Sequence, residues 1–228
     1  MAAVSPVSTR PQTPTRFIRK ILIALFWTLL IAVALRFFVK YAVHYFHLSA
    51  DSYGDFWPKR KWLLLHICGA TLALFLGPLQ FWSGARRKYM RVHRWLGRIF
   101  LFGVVLGATG GFYLALHPSL GWPYGVALFG MASAWLVSSL MAYIAIRRGH
   151  VKAHREWMIR SYVVTFAFVF ARVPDDIPSL ANLGTPTELQ ATIVWLSWVV
   201  PLFVTEVILQ LKQIARVSPR RRTELSTD

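Results

Sequence analysis

Two stretches of this sequence share one pattern: "RRKYMRVHRWLGR", Arg86–Arg98, and "RRGHVKAHREWMIR", Arg147–Arg160. Each opens with two arginines, carries a further cation five residues after the first arginine, and places His-Arg seven residues after it. The first copy contains His93, and the second contains His154, 61 residues later. Both copies lie between long apolar runs, so their meaning depends on what those runs form.

The apolar runs predict an all-α integral membrane bundle. Of the 228 residues, 56% are hydrophobic, and 26 Lys and Arg stand against nine Asp and Glu. A helix needs about 20 apolar residues to cross a bilayer. Six runs of this kind predict six transmembrane helices, at Ile18–Phe38, Trp62–Phe81, His93–Leu116, Trp122–Ile146, Trp157–Val173 and Ala191–Leu211. The bundle therefore covers residues 18–212, with a four-helix core at about 62–173.

The ends of the sequence differ from the bundle in composition. Residues 1–17 and 213–228 are polar, basic and proline-containing, which predicts two disordered tails. The first apolar run has a basic start and also resembles a secretory signal peptide. Because apolar residues continue past Arg36, a retained helix is the favoured interpretation.

The distribution of cations predicts the orientation. Lys and Arg cluster in both tails and in the two quoted stretches, all on one side of a six-helix bundle. By the positive-inside rule, this side is the cytoplasm, so we predict a bacterial inner-membrane protein with both termini cytoplasmic. The stretch "WPKRKW" is the exception, with three cations on the other side. Cations grouped between apolar runs argue against nucleic-acid binding and favour the lipid bilayer as the partner.

The repeated pattern predicts a pair of metal ligands. His93 and His154 each begin an odd-numbered helix, which indicates two related hairpins about an axis along the membrane normal. Two imidazoles that face each other are typical of a six-coordinate b-type haem, so both histidines are candidate iron ligands. Neighbouring arginines are suited to neutralise the propionates: Arg94, Arg98, Arg155 and Arg160. The alternative is that both histidines are interfacial residues hydrogen-bonded to helix ends.

Small residues share helix faces with these histidines. On the third helix the face of His93 also carries three glycines, Gly97, Gly107 and Gly111. Such a face is typical of close helix packing, and the alternative is room for a flat macrocycle. On the second helix His66 has a similar face and is a further candidate ligand. The fourth helix has no histidine to oppose it and offers only Met131.

Polar residues inside two helices are also candidates for function. On the fifth helix Met158, Ser161, Thr165 and Arg172 share the direction of His154, so this stripe is predicted to face the protein interior or a cavity rather than lipid. Glu206 lies within the sixth helix. An intramembrane carboxylate predicts either proton transfer or pairing with a cation.

Between His66 and Arg172 the sequence resembles a family of predicted bacterial membrane proteins, domain of unknown function family 2306. The motifs that carry the resemblance are "LGPLQFW", "HRWLGR", "IRRGH" and "HREWMIRSY", in that order. The resemblance implies that the central four helices form the unit, and it assigns no activity. The start "HRWLG" is more distantly similar to transmembrane cytochromes b, whose ligands come from alternate core helices. That similarity implies His93 and His154 as one such pair.

The sequence thus leads to two functional interpretations. The first is a single-haem electron-transfer or quinone-interacting subunit, with quinone, a redox protein or other membrane subunits as partners. The second is a cofactor-free accessory or structural subunit, or a transporter-like bundle. The sequence contains no GxSxG, Walker, CxxC or HExxH motif, which argues against a soluble-type hydrolase or nucleotide enzyme. Whether the protein is an enzyme at all is left open.

Overall fold

The computed structural model describes residues 14–177, 179 and 183–224. These residues form helices and turns, with no β-strand among them, so the prediction of an all-α protein is confirmed. The helices are α1 (Pro14–Phe37), α2 (Ala50–Tyr53), α3 (Arg60–Gly84), α4 (Met90–Leu116), α5 (Trp122–Arg147), α6 (Val151–Phe170) and α7 (Pro186–Glu224).

The described residues include six long helices. Five of them are long and apolar enough to cross a membrane: α1, α3, α4, α5 and α7. The sixth, α6, corresponds to the predicted fifth span but begins earlier, at Val151 rather than Trp157. Its first turns carry Lys152, Arg155, Glu156 and Arg160, which lower its hydropathy. It is nevertheless well buried beyond its first turns, where Ser161 and Thr165 face protein, whereas Lys152 and Arg155 are exposed at its start.

Four helices, α3 to α6, form the core. In sequence order each packs against the next, and α3 also contacts α6, so α4 and α6 lie at opposite corners. The helices α3 and α4 are in backbone contact. A Cβ atom built on Gly69 would lie 2.3 Å from the Gly107 nitrogen and 2.4 Å from the Gly103 carbonyl oxygen. The glycines of α4 therefore serve close helix packing.

Buried polar side chains join α5 to α6 inside this core. The indole Nε1 of Trp135 donates to Thr165 Oγ1 at 2.8 Å, and the hydroxyls of Ser139 and Ser161 are 2.6 Å apart. All four residues are buried, so these hydrogen bonds satisfy polar atoms that are shielded from water. The prediction that the stripe on α6 faces the protein interior is confirmed.

The two outer helices are attached by ion pairs. On α7, Glu206 accepts from Arg160 of α6, with Nε of the arginine 3.0 Å from Oε2, so the pairing alternative for this carboxylate is observed. At the other end of the bundle Asp176 pairs with two cations. Arg36 lies at the end of α1, and Lys40 lies just beyond it. Hydrogen bonds from Lys40 and Arg36 lower the pKa of the Asp176 carboxyl to about 2.

The turns between α3 and α4 and between α5 and α6 lie at one end of the bundle, called the basic end below. At the opposite end, two of the three exceptional cations of "WPKRKW" have local partners: Lys59 donates to the His117 carbonyl, and Arg60 stacks on Trp57 at 4.4 Å. The helix α7 continues beyond residue 212 to Glu224, into the stretch assigned to the tail. Residues 1–13 and 225–228 of the tails lie outside the described residues.

Candidate functional site

His93 lies in the first turn of α4 and ties this turn to the end of α3. Its half-buried ring donates from Nδ1 to the Gln80 carbonyl at 3.2 Å, with the buried Ser83 hydroxyl 3.3 Å away. The Gln80 side chain returns a bond, since its Nε2 donates to the His93 carbonyl at 2.9 Å. Reciprocal bonds of this kind fix the orientation of the imidazole.

His154 holds the second hairpin in the same way. Its Nδ1 donates to the Ala142 carbonyl, near the end of α5, at 2.9 Å. The start of α5 follows the start of α3 by 62 residues, and the start of α6 follows the start of α4 by 61. Nearly equal spacing and an equivalent bond support the prediction of two related hairpins.

The two histidines meet across the bundle, from the opposite corners formed by α4 and α6. Their ring centres are 6.4 Å apart, and the rings are nearly perpendicular, at 87°. Because Nδ1 of each ring is bonded to a carbonyl, Nε2 is the nitrogen left for a ligand. Two metal–imidazole bonds of about 2 Å, plus about 1 Å from each nitrogen to its ring centre, span about 6 Å. The spacing therefore suits two axial ligands of one metal ion.

A cavity of about 160 Å³ adjoins the pair, and all four core helices contribute to it. Its wall includes Gln80 and Gly84 from α3, Ile146 from α5 and Met158 from α6. The cavity is smaller than a porphyrin. Its rim at the basic end is made of exposed Met90 and Val151 side chains, which a macrocycle would displace. In donor type and spacing the two histidines suit a haem, and the wall of this cavity would have to move apart to admit it.

The arginines predicted as propionate partners are distributed differently. Arg155 borders the cavity, whereas Arg94 is exposed and is not part of the wall. Arg98 stacks on Trp95 at 5.1 Å, and Arg160 is bonded to Glu206. Of the four candidates, Arg155 is therefore the one that the structure brings to the histidine pair.

His66 and two of the predicted glycines form a separate group nearer the opposite end. Nδ1 of His66 donates to the Gly107 carbonyl at 2.8 Å, and Gly111 lies against the imidazole. Two cavities of about 120 and 130 Å³ share His66 and Arg172 as wall residues, and Met131 lines the smaller one. The structure thus brings His66 and Met131 to one cavity, away from His93. Gly97 stays near the histidine pair, beside the Gln80 amide.

Three residues around His93 were not among the predicted site residues. Gln80 and Ser83 bond its ring, and a Cβ atom on Gly84 would lie 2.9 Å from its Cε1. Gln80 is part of the "LGPLQFW" motif and is 4% exposed. A glutamine within an apolar helix was the available signal, because such a side chain needs a partner.

The family model described as "Predicted membrane protein (DUF2306)" matches residues 63–209. The chain belongs to this family. The match takes in α7 up to Leu209 as well as the four core helices, whereas α1 lies outside it. No curated protein and no solved structure matches the chain, so the similarity to cytochromes b has no support from comparison. The protein is thus a multi-pass membrane protein in a lipid bilayer, of a family without an assigned function.

Proposed function

We propose that this DUF2306 protein carries electrons in the membrane by holding one b-type haem between His93 and His154. The observation that supports this proposal is the 6.4 Å separation of two anchored imidazoles at opposite corners of the core. A six-coordinate haem takes two ligands from the protein, and two histidines are what this site supplies.

The residues around the pair orient the ligands and shield them. The carbonyls of Gln80 and Ala142 hold each ring by Nδ1, so Nε2 is the nitrogen that would bind a metal. Core side chains such as Met158 exclude water on the inner side of the cavity. Arg155 at the rim places a positive charge where an acidic substituent would lie. When bound, a haem supplies one-electron transfer at this position.

The partner in this proposal is a membrane quinone or a redox protein. The cavity has its rim at the basic end, between exposed side chains, so either partner approaches it from the membrane surface. The cation pattern assigns this surface to the cytoplasm.

One observation favours a second candidate, a cofactor-free accessory subunit. Each histidine already makes a hydrogen bond that closes its own hairpin, and a purely structural role requires nothing more. In this alternative the pair contributes to stability and binds no metal.

The two candidates are separated by absorption spectroscopy of the purified protein, produced with ample haem supply. We expect a Soret band and sharp α and β bands after reduction with dithionite. His93→Ala and His154→Ala should each abolish the low-spin signal, and the double variant should be no worse, because one lost axial ligand already breaks the site.

His117→Ala is the control, since this exposed side chain bonds its own helix at Tyr113, at the opposite end. It should leave the spectrum unchanged. Wild-type protein without a haem spectrum would contradict the proposal. The histidine variants would then lower only the unfolding temperature, as the cofactor-free candidate requires.

A further inference from the structure

A long apolar groove runs along the outside of α6, between α1 and α7, and is called the lateral groove below. Its volume is about 740 Å³, the largest among the cavities described above. On α6 its wall extends from Arg155 to Phe170, which corresponds to about 22 Å at 1.5 Å per residue. The walls from α1 and α7 include Phe26, Trp27, Leu29, Leu30, Val33, Pro201, Val204 and Thr205.

Arg155 is the polar group that the lateral groove offers to a ligand. Two other polar side chains in its wall are already bonded, since Tyr162 donates to the Leu74 carbonyl at 3.0 Å and Thr205 donates to the Pro201 carbonyl at 2.7 Å. The remaining one, the indole of Trp27, is uncharged. No carboxylate is among the described wall residues. The carboxylate nearest to Arg155 in sequence is that of Glu156, and its Oε1 lies 3.9 Å from Nζ of Lys152. Among the described residues, no carboxylate pairs with Arg155.

We propose that the lateral groove binds one anionic glycerophospholipid, with an acyl chain along α6 and the phosphate on Arg155. The groove faces the hydrocarbon of the bilayer, as the 66% exposed Leu29 in its wall shows. Its length of about 22 Å is suited to an extended chain within a hydrocarbon core of about 30 Å. An arginine that no described carboxylate pairs with, at one end of an apolar slot, matches the layout of a lipid, charged at the head and apolar along the tail.

Charge complementarity selects an anionic headgroup over a neutral one. Arg155 stands at the basic end, and both flanking helices carry an exposed cation towards the same end, Arg19 on α1 and Lys212 on α7. A guanidinium binds phosphate oxygens in a bidentate manner, which a quinone carbonyl cannot reproduce. Arg155 also borders the histidine cavity, so a lipid phosphate and an acidic substituent of a haem bound there would share its guanidinium, whereas lipid binding itself requires no haem.

Lipid titration followed by native mass spectrometry tests the proposal on the full chain in a neutral detergent. The probes are dioleoyl phosphatidylglycerol and dioleoyl phosphatidylcholine, added separately. We expect wild type to prefer phosphatidylglycerol. Arg155→Gln should lower the affinity for phosphatidylglycerol about fivefold, the factor equivalent to about 1 kcal/mol per basic residue. It should leave the affinity for phosphatidylcholine unchanged.

Two further variants sharpen the test. Arg94→Gln is the matched control, because Arg94 occupies the position equivalent to Arg155 in the first hairpin and lies outside the groove. It should keep the wild-type preference. Leu30→Trp fills the groove and should lower the affinity for both lipids. The proposal is overturned if Arg155→Gln and Arg94→Gln bind phosphatidylglycerol equally, if Leu30→Trp binds both lipids as wild type does, or if solvent extraction recovers a stoichiometric quinone instead of phospholipid.

Discussion

Replacing Gly69 by alanine should separate α3 from α4. The new Cβ atom would lie 2.3 Å from the Gly107 nitrogen and 2.4 Å from the Gly103 oxygen, and neither backbone atom can rotate away. Non-bonded atoms pack at about 3.5–4.0 Å, so the two helices must move apart by about 1 Å at this crossing. Overpacking of this kind costs about 1–3 kcal/mol, which changes the equilibrium constant for unfolding by about 5- to 150-fold.

The measurement is equilibrium unfolding in mixed detergent micelles, followed by circular dichroism. Gly97→Ala is the matched control on α4, because its Cβ atom would meet only the Gln80 amide, at 3.5 Å or more. The free energy of unfolding of this control should stay within about 0.5 kcal/mol of wild type. If Gly69→Ala proves as stable as Gly97→Ala, the two helices do not pack in backbone contact, and the reasoning fails.

Three further outcomes are expected. A double-mutant cycle of Arg160→Gln and Glu206→Gln should give a coupling free energy of about 0.6 kcal/mol, the average for polar contacts between membrane helices, and at most about 1.7 kcal/mol; a value of zero would mean that the pair does not hold α7. The stabilising effect of Asp176 should be fully present above about pH 4 and lost as pH falls towards 2, because its pKa is lowered in the folded protein; Asp176→Asn should remove this acid dependence of unfolding. Reporter fusions after Arg148 should read cytoplasmic and those near Ser119 external, and a cytoplasmic signal at Ser119 would contradict the topology.

The helices were largely predictable because long apolar runs between basic loops have few alternative structures. The predicted start of the fifth span was the least accurate, since the charged first turns of α6 break its apolar run while protein contacts keep them helical. The interior direction of Ser161 and Thr165 followed from helical periodicity alone. What the helices touch across the bundle could not be obtained in this way, because it depends on crossing positions that no local pattern encodes.

The candidate site shows the same division. The repeated histidines were found from spacing, but their partners, Gln80 and the Ala142 carbonyl, lie on the preceding helix of each hairpin. A backbone carbonyl carries no signal in the sequence. Gly107 was grouped with His93 because the two share a face of one helix, and the structure places Gly107 against His66, towards the opposite end. Periodicity gives direction around a helix and leaves the depth of a partner undetermined.

The hairpin bond of each histidine also has a consequence for biosynthesis. His93 and its carbonyl partner are separated by 13 residues, and His154 and its partner by 12. Each bond joins residues that leave the ribosome almost together, so a hairpin can close as soon as its basic turn has emerged. Contact between the two rings must wait for a further 61 residues. Membrane insertion of this protein is therefore expected to proceed hairpin by hairpin, with the histidine pair assembled only when the second hairpin docks onto the first.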